Sequence, residues 1–264
     1  MKKKQTVPQY SGATKICLEK ANSNNPYQAG SMYLAGYNIE DIAEKKSFAE
    51  VIFLMFTGEL SRCAEDIKLL EMLMILLSIP SPRHPAARSA MNAGVCKANA
   101  EHLLPISLMT LGGSQSGALE VQECYRFINN KKDTIKIEVL VNQLIEKWDD
   151  KSKHIAPGFG QYYGDLDPLS NSFFNKLLKI KPEGKTMSWV STFISQLSGH
   201  NVGILDIGLA ACIFHELSLG ERESVGIYQL LRAPGLLAYG MEQSHKPVSA
   251  IPMLEDSQYE LINK

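Results

Sequence analysis

Apolar residues recur at helical spacing in one segment of this chain after another. Ile137, Leu140, Val141, Leu144, Ile145 and Trp148 fall three or four positions apart, which lines one face of a helix over 135–148. The same reading predicts helices over 51–56, 64–77, 101–111, 118–128, 168–180, 188–197, 201–219 and 226–242. Local chemistry marks several ends. Ser47-Phe48-Ala49-Glu50 has the form of a capping box, with Gly58 as a stop. Asp167-Pro168 opens a helix, Asp as cap and Pro at the first helical position. Asn201 is expected to cap the 201–219 helix and Gly220 to end it. Pro105 fits only in the first turn of its helix. Asn129 to Asp133 reads as a solvated loop. No segment alternates as a strand does, and no internal repeat is evident. The expected fold class is all-α, with ten or more helices.

Composition narrows the function. The chain has 264 residues, enough for one substantial core with or without a smaller lobe. Hydrophobic residues make up 45%, charged residues 21%, and the net charge is −1. That balance offers no electrostatic grip on nucleic acid or an anionic membrane. Met1-Lys2-Lys3-Lys4 runs into the polar stretch Gln5 to Tyr10 and reads as a basic terminus without an apolar signal region. The most apolar windows, 51–56 and 69–79, fall short of the roughly 20 residues a bilayer crossing needs. A cytoplasmic location is expected. The five cysteines are scattered and the six histidines dispersed, so neither a disulfide framework nor a metal site is predicted. The chain has no GxxxxGK[ST], HExxH or GxSxG segment.

Four segments, taken together and in order, resemble the citrate synthase family, and its short citryl-CoA-lyase-like branch in particular. Gly36-Tyr37-Asn38-Ile39-Glu40-Asp41-Ile42-Ala43 runs on through Ser47-Phe48-Ala49-Glu50-Val51 to Thr57-Gly58-Glu59-Leu60, like the family's entry segment. Leu111-Gly112-Gly113-Ser114-Gln115-Ser116-Gly117-Ala118 is similar to its His-Gly-Gly-Ala segment. Pro157-Gly158-Phe159-Gly160-Gln161-Tyr162-Tyr163, followed by Asp167-Pro168, is similar to its Pro-Gly-Phe-Gly-His segment. Asn201-Val202-Gly203 and Arg232-Ala233-Pro234-Gly235-Leu236-Leu237-Ala238-Tyr239-Gly240 are similar to its closing segments. The resemblance spans nearly the whole chain. It implies a two-lobed helical subunit, residues 1–115 with 226–264 forming the larger lobe and 116–225 the smaller. It also implies a dimer, of two copies or with a homologue. Between the lobes a cleft would take an acyl-CoA and a small carboxylate, with a coenzyme A thioester as substrate and no tightly bound cofactor.

The family works with two histidines and an aspartate, and this chain departs at all three positions. Gln115 and Gln161 stand where the histidines are expected, and Gly203 stands at the aspartate. Leu169 and Tyr239 replace a further arginine and histidine. A glutamine amide still donates a hydrogen bond to a developing oxyanion but carries no titratable proton near neutrality. Asp206, one turn beyond Gly203, is therefore read either as a relocated base or as a packing residue. The resemblance gives Gly158, Phe159 and Gly160 a backbone turn that approaches coenzyme A, or else a plain turn. Arg232 is either a bidentate ligand for a substrate carboxylate or a structural ion pair. His84, Arg88 and Lys246 are the remaining substrate-binding candidates. Two function classes follow: an acyl-CoA-dependent transferase or lyase with altered chemistry, or a catalytically silent relative serving as partner subunit or metabolite sensor.

Overall fold

The computed structural model describes residues 14–61, 63–148, 154–162, 164–252, 255–260 and 262. The basic terminus 1–4 and Tyr163 lie outside them. Among the described residues eleven α-helices dominate, with two small sheets, in two compact units, 1–67 and 68–264.

The first unit opens with strands β1 (Cys17–Ala21), β2 (Ala29–Leu34) and β3 (Tyr37–Asn38), antiparallel in that order. Ala35 and Gly36 both have positive φ (47° and 91°), as a two-residue hairpin turn between β2 and β3 demands. These strands escape a period-two reading because β1 is exposed on both faces and β2 is buried only at Leu34. Helix α1 (Ile39–Lys45) follows, then α2 (Phe48–Thr57). The Ser47–Glu50 capping box forms reciprocally, and Gly58 ends α2 at φ 79°. Leu34, Ile42 and Leu54 are the core of this unit, with Ile39, Val51 and Leu60 against them.

Helix α3 (Ala64–Leu77) leads into the second unit. It is followed by α4 (Pro85–Val95), α5 (Ala100–Leu111), α6 (Ala118–Lys131) and α7 (Ile137–Lys147). Strands β4 (His154–Ala156) and β5 (Phe159–Gly160) precede α8 (Pro168–Leu178) and α9 (Lys185–Leu197). Strand β6 (Gly203–Ile204), α10 (Asp206–Glu216) and the 24-residue α11 (Glu221–Ser244) complete the order. Helix α10 is buried from Ile207 to Phe214 and packs against α6 and α9, while α11 lies on α4, α5 and α6.

Several expectations need correcting. Helix α6 runs to Lys131, through part of the segment read as loop. Pro105 sits at the sixth position of α5, not in its first turn. Pro105 and Glu101, whose carbonyl loses its partner, are both exposed, so water can satisfy the carbonyl. Asn201 does not open a helix, and Gly220, the N-cap of α11, does not end one. Asn201 is left-handed (φ 56°) after the 3-10 turn Ser198–His200, and the chain then adds β6 to β5 before α10 begins. The sheet β4-β5-β6 is three short strands in a mostly helical unit, too brief for a recognisable alternation.

Gly158 makes the β4–β5 turn possible. Its φ is +76°, and a β-carbon there would lie 2.7 Å from both Cys124 Sγ and Gly208 Cα. Gly158→Ala is expected to cost about 1–3 kcal/mol from overpacking alone. It should appear as a lower urea midpoint at unchanged slope.

Candidate functional site

In the second unit the loop before α6, strand β4, the segment after β5 and the starts of α4, α8 and α10 surround a cavity of about 820 Å³. Its polar lining includes His84, Gln115, Ser116, His154, Tyr162 and Asp206, and Leu76, Ile79, Leu169 and Phe173 give it apolar wall.

Arg232 enters from α11, 3% exposed. Its Nη2 donates to Asp206 Oδ2, its Nε to Tyr228 Oη at 3.2 Å, and its Nη1 to the Leu77 carbonyl at 3.2 Å. Burial works against its charge, but Tyr228 and the Asp206 carboxylate outweigh it and hold its pKa up. Asp206 is engaged on both oxygens. Besides Arg232, it accepts from Tyr162 Oη at 2.9 Å and from the Ile207 amide at 2.9 Å. Burial first, and the Asp206 charge second, push the Tyr162 phenol far above its usual range, so it stays a donor.

His84 caps α4. Its Nδ1 accepts from the Ala86 amide at 3.1 Å, so the ring proton sits on Nε2, which donates to the Ser116 carbonyl at 2.7 Å. Both ring nitrogens thus serve the backbone. Burial holds its pKa below the ordinary value, against the Ser116 carbonyl and Asp206. Ser116 itself is left-handed (φ 55°), a strained conformation for a residue other than glycine and one that clusters at functional sites.

Strand β4 brings His154 to the cavity wall. Its Nδ1 lies 2.7 Å from Glu120 Oε1. Glu120, on the first turn of α6, is 2% exposed. The same Oε1 accepts from the Gly158 amide at 3.1 Å, and Oε2 accepts from the Ser116 amide at 2.8 Å. Neither His154 nor Glu120 stands out in the sequence. They are 34 positions apart in it, and no motif spacing links them.

The predicted site residues are only partly brought together. His84, Gln115, Asp206 and Arg232 line the cavity. Gln161 is not among its lining residues; its side-chain amide approaches the His200 carbonyl at 3.4 Å. Phe159 is fully buried, with ring centroids 5.0 Å from Phe193 and 6.1 Å from Phe127, and Gly158 and Gly160 are buried beside it. Arg88 lies on a second cavity of about 460 Å³, which Arg83 shares with the first. Lys246 is half-buried and pairs with Glu242 at 2.8 Å. At position 203 a side chain would require the ends of two neighbouring side chains to move aside. A β-carbon would lie 2.5 Å from Leu166 Cδ1 and 2.6 Å from Asn171 Nδ2. Among the described residues no three His, Cys, Asp or Glu side chains are grouped to hold a metal ion, and no helix is long and apolar enough to cross a membrane.

Two predictions follow from this geometry. His84 and His215 both have pKa values lowered by burial, so below about pH 6.5 the unfolded chain takes up protons more readily than the folded one. Stability should therefore fall as pH drops through that value. His84→Asn, which keeps a helix-capping side chain, should flatten the loss of melting temperature between pH 7 and 5. Asp206→Asn leaves Arg232 buried without its counter-charge, and should cost on the order of 3 kcal/mol in urea denaturation.

No protein-family model matches this sequence, and no curated protein matches it. Solved structures do. Citryl-CoA lyase of Hydrogenobacter thermophilus is similar over 96% of this chain and 94% of its own, with a TM-score of 0.76 at 19% identity. The ATP citrate lyase of Methanothrix soehngenii, solved with citrate and coenzyme A, is similar over the whole of this chain, at TM-score 0.71 and 15% identity. This chain spans 44% of the length of that lyase. Citrate synthase of Thermoplasma acidophilum, in a ternary complex with carboxymethyl coenzyme A and oxaloacetate, gives a TM-score of 0.59 at 16% identity, over 83% of this chain and 58% of its own. The chain thus has a mostly helical, citrate-synthase-like fold.

Proposed function

We propose that this chain binds a small carboxylate or an acyl-CoA thioester in the 820 Å³ cavity and acts on it as a lyase or acyltransferase by a non-standard route. The observation that carries this reading is the composition of the cavity wall. Oriented donors and an ion pair converge from α4, the 112–117 loop, β4, α10 and α11 on a space with an apolar side. The Gln115 side-chain amide lines it and can hold a carbonyl oxygen as negative charge develops there. Arg83, which faces both cavities, and Arg88 on the second supply positive charge for an anionic end of the same ligand.

The lobes implied by the resemblance, 1–115 with 226–264 and 116–225, remain part of this proposal. His84 and Arg232 come from one set, and Ser116, His154, Tyr162 and Asp206 from the other. A dimer belongs to the same proposal. Leu230, Leu237 and Met241 expose one face of α11, and Met109 on α5 is 82% exposed. A second reading, a binding or sensor subunit without turnover, is favoured by one observation. Asp206 already occupies the guanidinium that a substrate carboxylate would seek.

Thermal shift with acetyl-CoA, free coenzyme A, oxaloacetate and citrate tests the reading. A ligand present at a hundred times its dissociation constant should raise the melting temperature by about 5 °C or more. No shift with any of the four would sink both the enzyme and the sensor readings.

A further inference from the structure

The second cavity, of about 460 Å³, lies between α4, the end of α11 and the segment that follows it. Arg88, Met91, Asn92 and Val95 stand three or four positions apart on α4, so they share the face that meets the cavity. Arg83 joins from the loop before α4, and Gln243 from the last turn of α11. The frame around them is fixed. Gly94 of α4 and Gly240 of α11 bring the two backbones together, and a β-carbon on Gly94 would lie 2.2 Å from the Gly240 carbonyl oxygen. Just beyond α4, Lys97 Nζ donates to the Ser244 and Lys246 carbonyls at 2.6 Å each, which holds the end of α11 beside α4.

Four donor-bearing side chains thus meet on one cavity, and the fold uses none of them. Arg83 and Arg88 have no ion-pair partner among the described residues, and no acid is among the described lining residues. The carboxamides of Asn92 and Gln243 make no hydrogen bond among the described residues either, although Gln243 is only 8% exposed. A buried amide without a partner is costly, and two like charges facing one space repel. An anion in the cavity relieves both.

We infer that this cavity binds the phosphoryl group of an organic phosphate, a site beyond the proposed function and independent of it. Two guanidiniums carry the two positive charges that balance a phosphate monoester above its second ionisation, at roughly pH 6. Guanidinium forks and amide NH2 groups together offer more donors than the two oxygens of a carboxylate take up, and they suit the three oxygens of a phosphoryl group. The cavity is larger than a phosphate ion, and Met91, Val95 and Ile251 give the remaining space an apolar wall for an organic body. The phosphoryl group is either the far end of the molecule in the first cavity, since Arg83 faces both, or part of a separate molecule.

Isothermal titration of the full chain with phenyl phosphate, inorganic phosphate and acetate, at constant ionic strength, tests the site. Phenyl phosphate should bind saturably and more tightly than inorganic phosphate, and acetate should bind more weakly than either. Arg88 is exposed, so Arg88→Gln should melt as wild type does. It should weaken phenyl phosphate by about tenfold or more. Gln243→Met keeps the side-chain volume, removes the amide and should weaken phenyl phosphate by about threefold. No saturable binding of phenyl phosphate by wild type, equal affinity in Arg88→Gln, or acetate binding as tightly as inorganic phosphate would overturn the inference. Acetyl-CoA and S-acetylpantetheine, a thioester without phosphate, identify the source. If the coenzyme supplies the phosphoryl group, phenyl phosphate competes with acetyl-CoA, and Arg88→Gln weakens acetyl-CoA but not S-acetylpantetheine. If a separate molecule supplies it, phenyl phosphate and acetyl-CoA bind together and Arg88→Gln leaves acetyl-CoA unchanged. Saturable phenyl phosphate binding with no affinity for any of the carboxylates or thioesters would sink the proposed function and leave this site standing.

Discussion

One buried carboxylate holds the cavity in shape. Glu120 sits 2% exposed on the first turn of α6, where an unpaired charge would cost several kcal/mol. Three groups from three places answer it: the Ser116 amide before α6, the Gly158 amide in the β4–β5 turn, and His154 Nδ1 on β4. Two of these also fix something else. Ser116 is held in a left-handed conformation and offers its carbonyl to His84. Gly158 brings its backbone against Gly208 of α10, and its carbonyl accepts from the Leu205 amide. A single anion thereby ties the start of α6, the small sheet and the approach to α10 into one wall.

The second buried charge, Arg232, ties together another set of elements. It connects α11 to the end of α3 through the Leu77 carbonyl and to the first turn of α10 through Asp206. In a medium of low dielectric such a pair contributes little net stability, yet removing either partner is severe. The pair therefore acts as a constraint on where α10 begins. It also gives the Arg232 guanidinium a carboxylate partner from within the chain. The structural ion pair and the ligand for a substrate carboxylate, both open from the sequence, are physically exclusive at one guanidinium nitrogen unless Asp206 gives way.

Helix ends with their own chemistry were legible in the sequence. Ser47 with Glu50, Gly58, and Asp167 with Pro168 each act through atoms within four residues, and each lies in the structure as read. Elements defined by partners far along the chain were not. Strand β6 exists because Gly203 and Ile204 pair with Gly160 and Phe159, more than forty positions earlier, so Asn201 looked like a cap for a longer helix. The candidate site divides the same way. His84, Gln115, Asp206 and Arg232 could be picked out by chemical type and position in a resembling segment. His154 and Glu120 could not, since a histidine before an apolar pair and a glutamate in a helix are ordinary until folding places them 2.7 Å apart.

The fate of position 203 bears on where a base can stand. The side-chain ends of Leu166 and Asn171 fill the space beside Gly203 and would have to shift to admit a larger residue. The neighbouring acid, Asp206, has both oxygens drawn toward Tyr162, Ile207 and Arg232. Chemistry entering from the β6–α10 side would thus have to break a buried ion pair before it began. On the β4 wall the buried Glu120 carboxylate lies 2.7 Å from His154 Nδ1 and holds that side chain in place. With no acid at 203 and Asp206 tied down, the polar groups this cavity presents are oriented donors such as Gln115 more than an unpaired carboxylate.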